Sequence, residues 1–148
     1  MKILLISSTG GHFQAIQKLH SFWHKHDCCW VTFQTATTQS ALANEKVYWA
    51  YSPTNRNIPN LIRNFWLSWQ VIRQERPDLV LSTGAGVAVP FIILAKLAGI
   101  KTVFIESFTR VEELSLSARL VLPFLDTVYV QWEQLTKKYP TKAKFIRI

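Results

Sequence analysis

The most constraining feature of this sequence is a recurrence of short apolar, β-branched runs, bounded by turn residues and separated by helical patterns. The runs fall at Lys2 to Ser7, Cys28 to Phe33, Val47 to Tyr51, Leu79 to Ser82, Thr102 to Glu106 and Thr127 to Val130. Between most of them lie helical patterns: His12 to Lys25, with its stripe Phe13, Ile16, Leu19 and Trp23, then Ile58 to Glu75, Val89 to Ala98, about Leu114 to Leu122, and Trp132 to Lys138. Pro77 and Gly99 act as stops. Strands that are apolar throughout and alternate with helices imply a parallel sheet covered on both faces, an α/β, Rossmann-like doubly wound fold. With 148 residues, 49% of them apolar, the chain is expected to form one domain over residues 1–148. No internal repeat or low-complexity tract interrupts it.

Charge narrows the partners without naming one. Seven basic against two acidic residues precede Gln74, and ten against seven follow it, for a net +8. This excess favours an anionic partner: nucleic acid, anionic lipid or a phosphorylated small molecule. The basic positions are dispersed and no recognised module accompanies them, which argues against nucleic acid. Cys28 and Cys29 are adjacent in an apolar run and read as small buried residues rather than a disulfide or metal pair. The opening Met1-Lys2-Ile3-Leu4-Leu5-Ile6 reads as a first strand, not a secretory signal. The apolar stretch from Val87 to Ile100 falls short of the roughly 20 residues of a membrane span.

In a doubly wound sheet, ligands gather beyond the carboxyl ends of the strands. Three segments meet that rule. Ser7-Ser8-Thr9-Gly10-Gly11-His12 joins the first strand to a helix, and its glycines and free amides suit a phosphate or diphosphate; it is equally the shape of a tight turn. Ser82-Thr83-Gly84-Ala85-Gly86 repeats the pattern after the fourth run, where the glycines also suit close packing of the next helix on the sheet. Glu106 and Ser107 end the fifth run, with Arg110 close behind; the carboxylate is a candidate base or a strand-end group paired with Arg110. The fingerprint G-x-G-x-x-G and an acidic residue after the second run are both missing, so hydride transfer is disfavoured. Neither Asp-x-Asp nor a His/Cys cluster occurs, and no metal site is expected. A nucleophile elbow, G-x-S-x-G, is also absent. The stretch Arg56 to Arg73 carries Leu61, Arg63, Phe65, Trp66 and Trp69, the composition of an interfacial membrane helix or of a buried one.

Taken together, Gly10-Gly11-His12, Thr83-Gly84-Ala85-Gly86-Val87-Ala88-Val89-Pro90 and Glu106-Ser107-Phe108-Thr109-Arg110-Val111-Glu112-Glu113-Leu114-Ser115-Leu116-Ser117 resemble the asparagine-linked glycosylation protein fourteen family. The resemblance continues through Asp126, Gln131-Trp132 and Lys138-Tyr139-Pro140, and its bacterial relatives are the PssD and CpsF type exopolysaccharide proteins. It implies the amino-terminal, acceptor-side half of a GT-B glycosyltransferase. A separate donor-binding subunit would supply the carboxyl-terminal half and hold the UDP-sugar, so this chain would need no cofactor of its own. The acceptor would be a polyprenyl-diphosphate-linked sugar at the cytoplasmic face of the membrane, with peripheral attachment because the first strand begins at once. Within that frame His12 is expected to meet the acceptor hydroxyl or diphosphate and Glu106 is the second candidate for proton abstraction. Ser8, Thr9, Gly10, Gly11, Gly84, Ala85, Gly86 and Arg110 would bind the acceptor, and Arg63, Phe65, Trp66 and Trp69 the membrane. Family members often carry Gly-Pro-Gly where this chain has Gly84-Ala85-Gly86. A scaffold that only recruits the catalytic subunit is the competing expectation.

Overall fold

The computed structural model describes residues 1–54 and 56–147. Seven parallel strands form one sheet: β1 (Lys2–Ser7), β2 (Asp27–Thr32), β3 (Lys46–Trp49), β4 (Leu79–Gly84), β5 (Lys101–Ile105), β6 (Thr127–Val130) and β7 (Ala143–Phe145), in the order β3-β2-β1-β4-β5-β6-β7. The reversal of direction between β1 and β4 makes a switch point where the carboxyl ends of the strands diverge into loops. This is the α/β, doubly wound class expected from the sequence.

Alternate residues of each strand serve opposite layers. Leu4, Ile6, Val80 and Phe104 face a core shared with helices α4 (Ile58–Glu75), α5 (Ala88–Leu97) and α6 (Leu116–Val121). Ile3, Leu5, Trp30 and Leu81 face Phe13 and Ile16 of α1 (Gly11–Gln17) and Trp23 of α2 (His20–Trp23). Because both faces are covered, the strands carry no polar alternation. Desolvation pushes the thiols of the half-buried Cys28 and the buried Cys29 up to about 11 and about 12; Cys29 is the buried filler expected, while Cys28 is only half-buried.

Several boundaries depart from the sequence reading. The helix expected from His12 to Lys25 breaks at Leu19 (φ −91°, ψ 18°) into α1 and α2. The cause is Trp23, whose indole N–H donates to the Ile16 carbonyl at 2.9 Å; the Leu19 amide shares that acceptor, which a continuous helix would give to His20. The short α3 (Ala36–Ala41) was not expected, having no apolar period, and is nucleated by a reciprocal cap between Thr35 and Thr38. β7 was not expected either, and it follows α7 (Glu133–Lys138). By contrast α4 has the limits expected, set by the Asn57 cap and by Arg76 in the left-handed conformation before Pro77.

α4 is inside out over its amino-terminal half. Asn60, Asn64 and Ser68 are buried, whereas Ile58, Ile62, Trp66 and Trp69 are exposed. The buried amides are satisfied by the chain that leaves β3: Asn64 both accepts from the Tyr51 amide and donates to the Tyr51 carbonyl at 3.0 Å, and Asn60 donates to the Pro53 carbonyl at 2.8 Å. Polar residues are therefore fixed inward by obligatory backbone pairing, and the aromatic stripe faces out. Leu61 shares that outer face, Phe65 is half-buried, and the exposed Arg63 bonds Asn60. Trp66 and Trp69 stack with centroids 5.4 Å apart, and the Arg73 guanidinium lies 5.0 Å from the Trp69 ring. No described helix is long and apolar enough to cross a membrane.

Candidate functional site

At the carboxyl ends of β1, β4 and β5 a cavity of about 650 Å³ is lined by Gly11, His12, Lys18, Thr83, Glu106, Ser107, Phe108 and Gln131, among others. It brings together segments far apart in sequence, as the sheet order requires.

His12, in the first turn of α1, is held by two reciprocal bonds to the end of β4. Its Nδ1 lies 2.8 Å from the Thr83 carbonyl, and the Thr83 hydroxyl donates back to the His12 carbonyl at 2.5 Å. A carbonyl oxygen only accepts, so Nδ1 carries the proton and Nε2 keeps its lone pair in the neutral ring. Gly84 makes this placement sterically possible. At φ +111° it occupies a region that favours glycine, and a Cβ there would stand 2.9 Å from His12 Nδ1. The Ser8 amide donates to the Gly84 carbonyl at 2.8 Å, tying the first loop to the fourth. The peptide between Gly84 and Ala85 is cis.

The glycines differ in their reasons. A Cβ on Gly10 or Gly11 would meet nothing within 4 Å, although Gly10 has φ +75°, so the space over that loop is free of protein. Gly86 faces only the Thr54 side chain at ordinary van der Waals distance. Ser8 and Thr9 are half-buried, and they, with Gly10, Gly84, Ala85 and Gly86, lie outside the cavity lining.

Glu106 does not have the open position expected of a strand-end carboxylate. It is 2% exposed, and its two oxygens accept the Ser107 amide at 2.9 Å and the Ser115 amide at 2.7 Å. Its carboxylate thus closes the loop that separates β5 from α6. Further staples come from α7 and the end of β6. Gln131 donates to the Glu106 carbonyl at 3.1 Å and the Trp132 indole to the Phe108 carbonyl at 2.8 Å. Lys138 and the Tyr139 hydroxyl both hold the Glu113 carboxylate, and these bonds lower its pKa to about 2. Within the motif, Glu106, Phe108, Glu113 and Ser115 are thus bonded with Gln131, Trp132, Lys138 and Tyr139 around a single loop. Arg110, at that loop's turn, is exposed, forms no ion pair with Glu106 and lies outside the cavity lining. Thr83, Gln131 and Lys18 belong to the site without having been singled out as binding residues. Gln131 stood in the quoted motif, but its donation to Glu106 depends on β5 and β6 being neighbours.

Residues 50–148 match the family described as oligosaccharide biosynthesis protein Alg14 like. The chain belongs to that family. Among curated Alg14 relatives, the human UDP-N-acetylglucosamine transferase subunit ALG14 is 39% identical over 93 residues, covering 59% of this chain and 43% of the human one. The Candida albicans protein of the same name is 40% identical over 89 residues, 56% of this chain and 41% of its own. The chain thus spans about two-fifths of the length of these relatives. Among solved structures, Acinetobacter baumannii MurG superposes with a TM-score of 0.67 at 18% identity, over 87% of this chain and 40% of MurG. The UDP-GlcNAc 2-epimerase of Neisseria meningitidis, solved with UDP-GlcNAc, gives 0.73 at 17% identity, over 98% and 45%. These likenesses establish the fold alone.

Proposed function

We propose that this chain is the acceptor-binding, membrane-associating subunit of a two-component glycosyltransferase that moves a sugar from a UDP-sugar to a polyprenyl-diphosphate-linked sugar. Residues 1–148 act as one acceptor-side domain, and a separate donor-binding chain completes the GT-B cleft. The observation that carries the reading is the family match over residues 50–148, a stretch that supplies most of the cavity wall facing His12. A transferase subunit is what the curated relatives are named for.

In this proposal His12 takes the proton of the acceptor hydroxyl on Nε2 as that oxygen bonds to the donor's anomeric carbon and the bond from that carbon to UDP breaks, UDP leaving with the electron pair, while Nδ1 stays anchored on Thr83. The attack is inverting and metal-independent. Glu106 organises the wall, since both its oxygens are already engaged by amides. The free space over Gly10 and Gly11 admits the diphosphate, and Lys18 offers a cation on the same cavity. Ser8, Thr9, Gly84, Ala85 and Gly86 shape the two loops that border the cavity, and the exposed Arg110 stands outside its lining as a charge for the acceptor's approach. The exposed Ile62, Trp66 and Trp69, with Arg63 and Arg73, give α4 an apolar face and a basic rim suited to an anionic bilayer at the cytoplasmic surface.

The reconstituted pair should transfer sugar from UDP-sugars to a lipid-diphosphate-sugar, whereas this chain alone should not. Loss of transfer on replacing His12 supports a share in chemistry; full transfer by that variant favours the scaffold reading instead. Replacing Trp66 and Trp69 by Ser should weaken vesicle co-sedimentation by about tenfold, given the apolar area two indoles bury. Unchanged sedimentation would assign α4 to a protein interface.

A further inference from the structure

Phe108 is 62% exposed at the tip of the loop after β5, an unusual position for a ring on so tightly stapled a segment. Its exposure is not slackness. The Trp132 indole bonds the Phe108 carbonyl, the hydroxyls of Ser107 and Thr109 are 2.9 Å apart, and the Thr109 amide donates to Ser107 Oγ at 3.2 Å. The two rings lie 5.2 Å apart at 37°, making a continuous aromatic surface.

That surface stands between two cavities. Phe108 lines the His12 cavity, and it also lines a neighbouring one of about 510 Å³ with Trp132 and Arg147. The His12 cavity that this ring lines also offers neutral hydrogen-bonding groups, Gln14, Thr109 and Gln131, beside the charged Lys18. An apolar occupant would strand those amides and hydroxyls, and a wholly polar one would leave the ring in water. A pyranose satisfies both, because its C–H face carries partial positive charge toward the negative face of an aromatic ring while its edge carries hydroxyls.

We infer that Phe108, braced by Trp132, is the platform on which the acceptor's sugar ring stacks, so that the ring's edge is presented to Nε2 of His12. The inference rests on the acceptor reading above and adds which residue positions the sugar as distinct from the diphosphate.

The test is equilibrium binding of three soluble probes to the assembled pair: farnesyl diphosphate, and its glucosyl and N-acetylglucosaminyl derivatives. The parent should bind at least one sugar-bearing probe more tightly than bare farnesyl diphosphate. Phe108→Ala should erase that margin, a loss of roughly tenfold for one stacked ring, and leave farnesyl diphosphate binding unchanged. Phe108→Trp should keep the margin. Equal weakening of all probes by Phe108→Ala, or no weakening, overturns the platform while leaving the acceptor reading intact. A parent pair that binds none of the probes overturns the acceptor reading and the platform with it.

Discussion

The two ends of the sheet handle charge in opposite ways. At the amino ends of the strands, carboxylates are matched with cations. Glu75 bonds Lys2, Lys46 and the Tyr48 hydroxyl, Asp78 accepts the Lys2 amide, and Asp126 bonds Lys96 and the Thr102 amide. At the carboxyl ends the buried Glu106 is used up on main-chain amides, while His12 and Lys18 line a cavity and have no acidic partner among the described residues. One end is closed chemistry that holds strands together. The other leaves an imidazole and an ammonium lining a cavity without an acidic partner, and on the proposed reading that asymmetry separates the structural edge from the binding one.

Substitutions at the two ends should fail in different assays. His12→Ala should cost about 10² to 10⁴-fold in turnover by the assembled pair, the usual range for a general base, with little change in melting temperature. An unfolding transition that moves as far as the rate would make His12 a structural residue. Glu75→Gln should do the reverse, costing about 3–5 kcal/mol in denaturant unfolding because two cations lose their buried partner, with turnover per folded molecule unchanged.

Acid should act on the same end. Burial alone would raise the Glu75 pKa, but hydrogen bonds from Lys46, Lys2 and Tyr48 outweigh it and bring it to about 2. Its folded pKa therefore lies below the unfolded one, so its stabilisation is complete above the ordinary carboxylate range and is lost as pH falls from about 4.5 toward 2. Glu75→Gln should flatten that limb of the stability profile; a profile that keeps its slope would shift the acid sensitivity elsewhere.

Gly84→Ala probes the seam at the binding end. A Cβ at φ +111°, pressed on His12 Nδ1, should cost about 1–3 kcal/mol of stability and lower turnover beyond what the loss of folded protein explains. Glu106→Gln should have the smallest effect on turnover, although it costs about 1–3 kcal/mol of stability because one of its amide contacts becomes donor against donor. Its kinetic signature should be a raised KM for acceptor with kcat nearly kept. A collapse of kcat as deep as that of His12→Ala would return Glu106 to the chemistry.

Much of this was legible in the sequence, for identifiable reasons. β1, β4 and β5 are apolar on both faces, so their runs of Ile, Leu and Val stood out, and Pro77 marked the end of α4. α3 and β7 escaped because Ala36–Ala41 has no apolar period and Ala143–Phe145 is three residues long. The orientation of α4 was not legible: apolar periodicity alone would bury Trp66 and Trp69, and only the pairing of Asn60 and Asn64 with the backbone of Pro53 and Tyr51 turns them outward. At the site, His12, Gly84 and Glu106 were found from their places at strand ends. What each does was not, because the His12 tautomer depends on the Thr83 carbonyl and the burial of Glu106 on the Ser115 amide, contacts across 71 and 9 residues.

The most direct test is transfer from a radiolabelled UDP-sugar to a lipid-diphosphate-sugar, measured with this chain, its donor-binding partner, and the pair, with His12→Ala in parallel. Transfer by the pair alone, abolished or nearly so by His12→Ala in a variant that still assembles, is the result expected. Full transfer by the pair carrying His12→Ala, or by the partner without this chain, would contradict an acceptor-side half that contributes its own base.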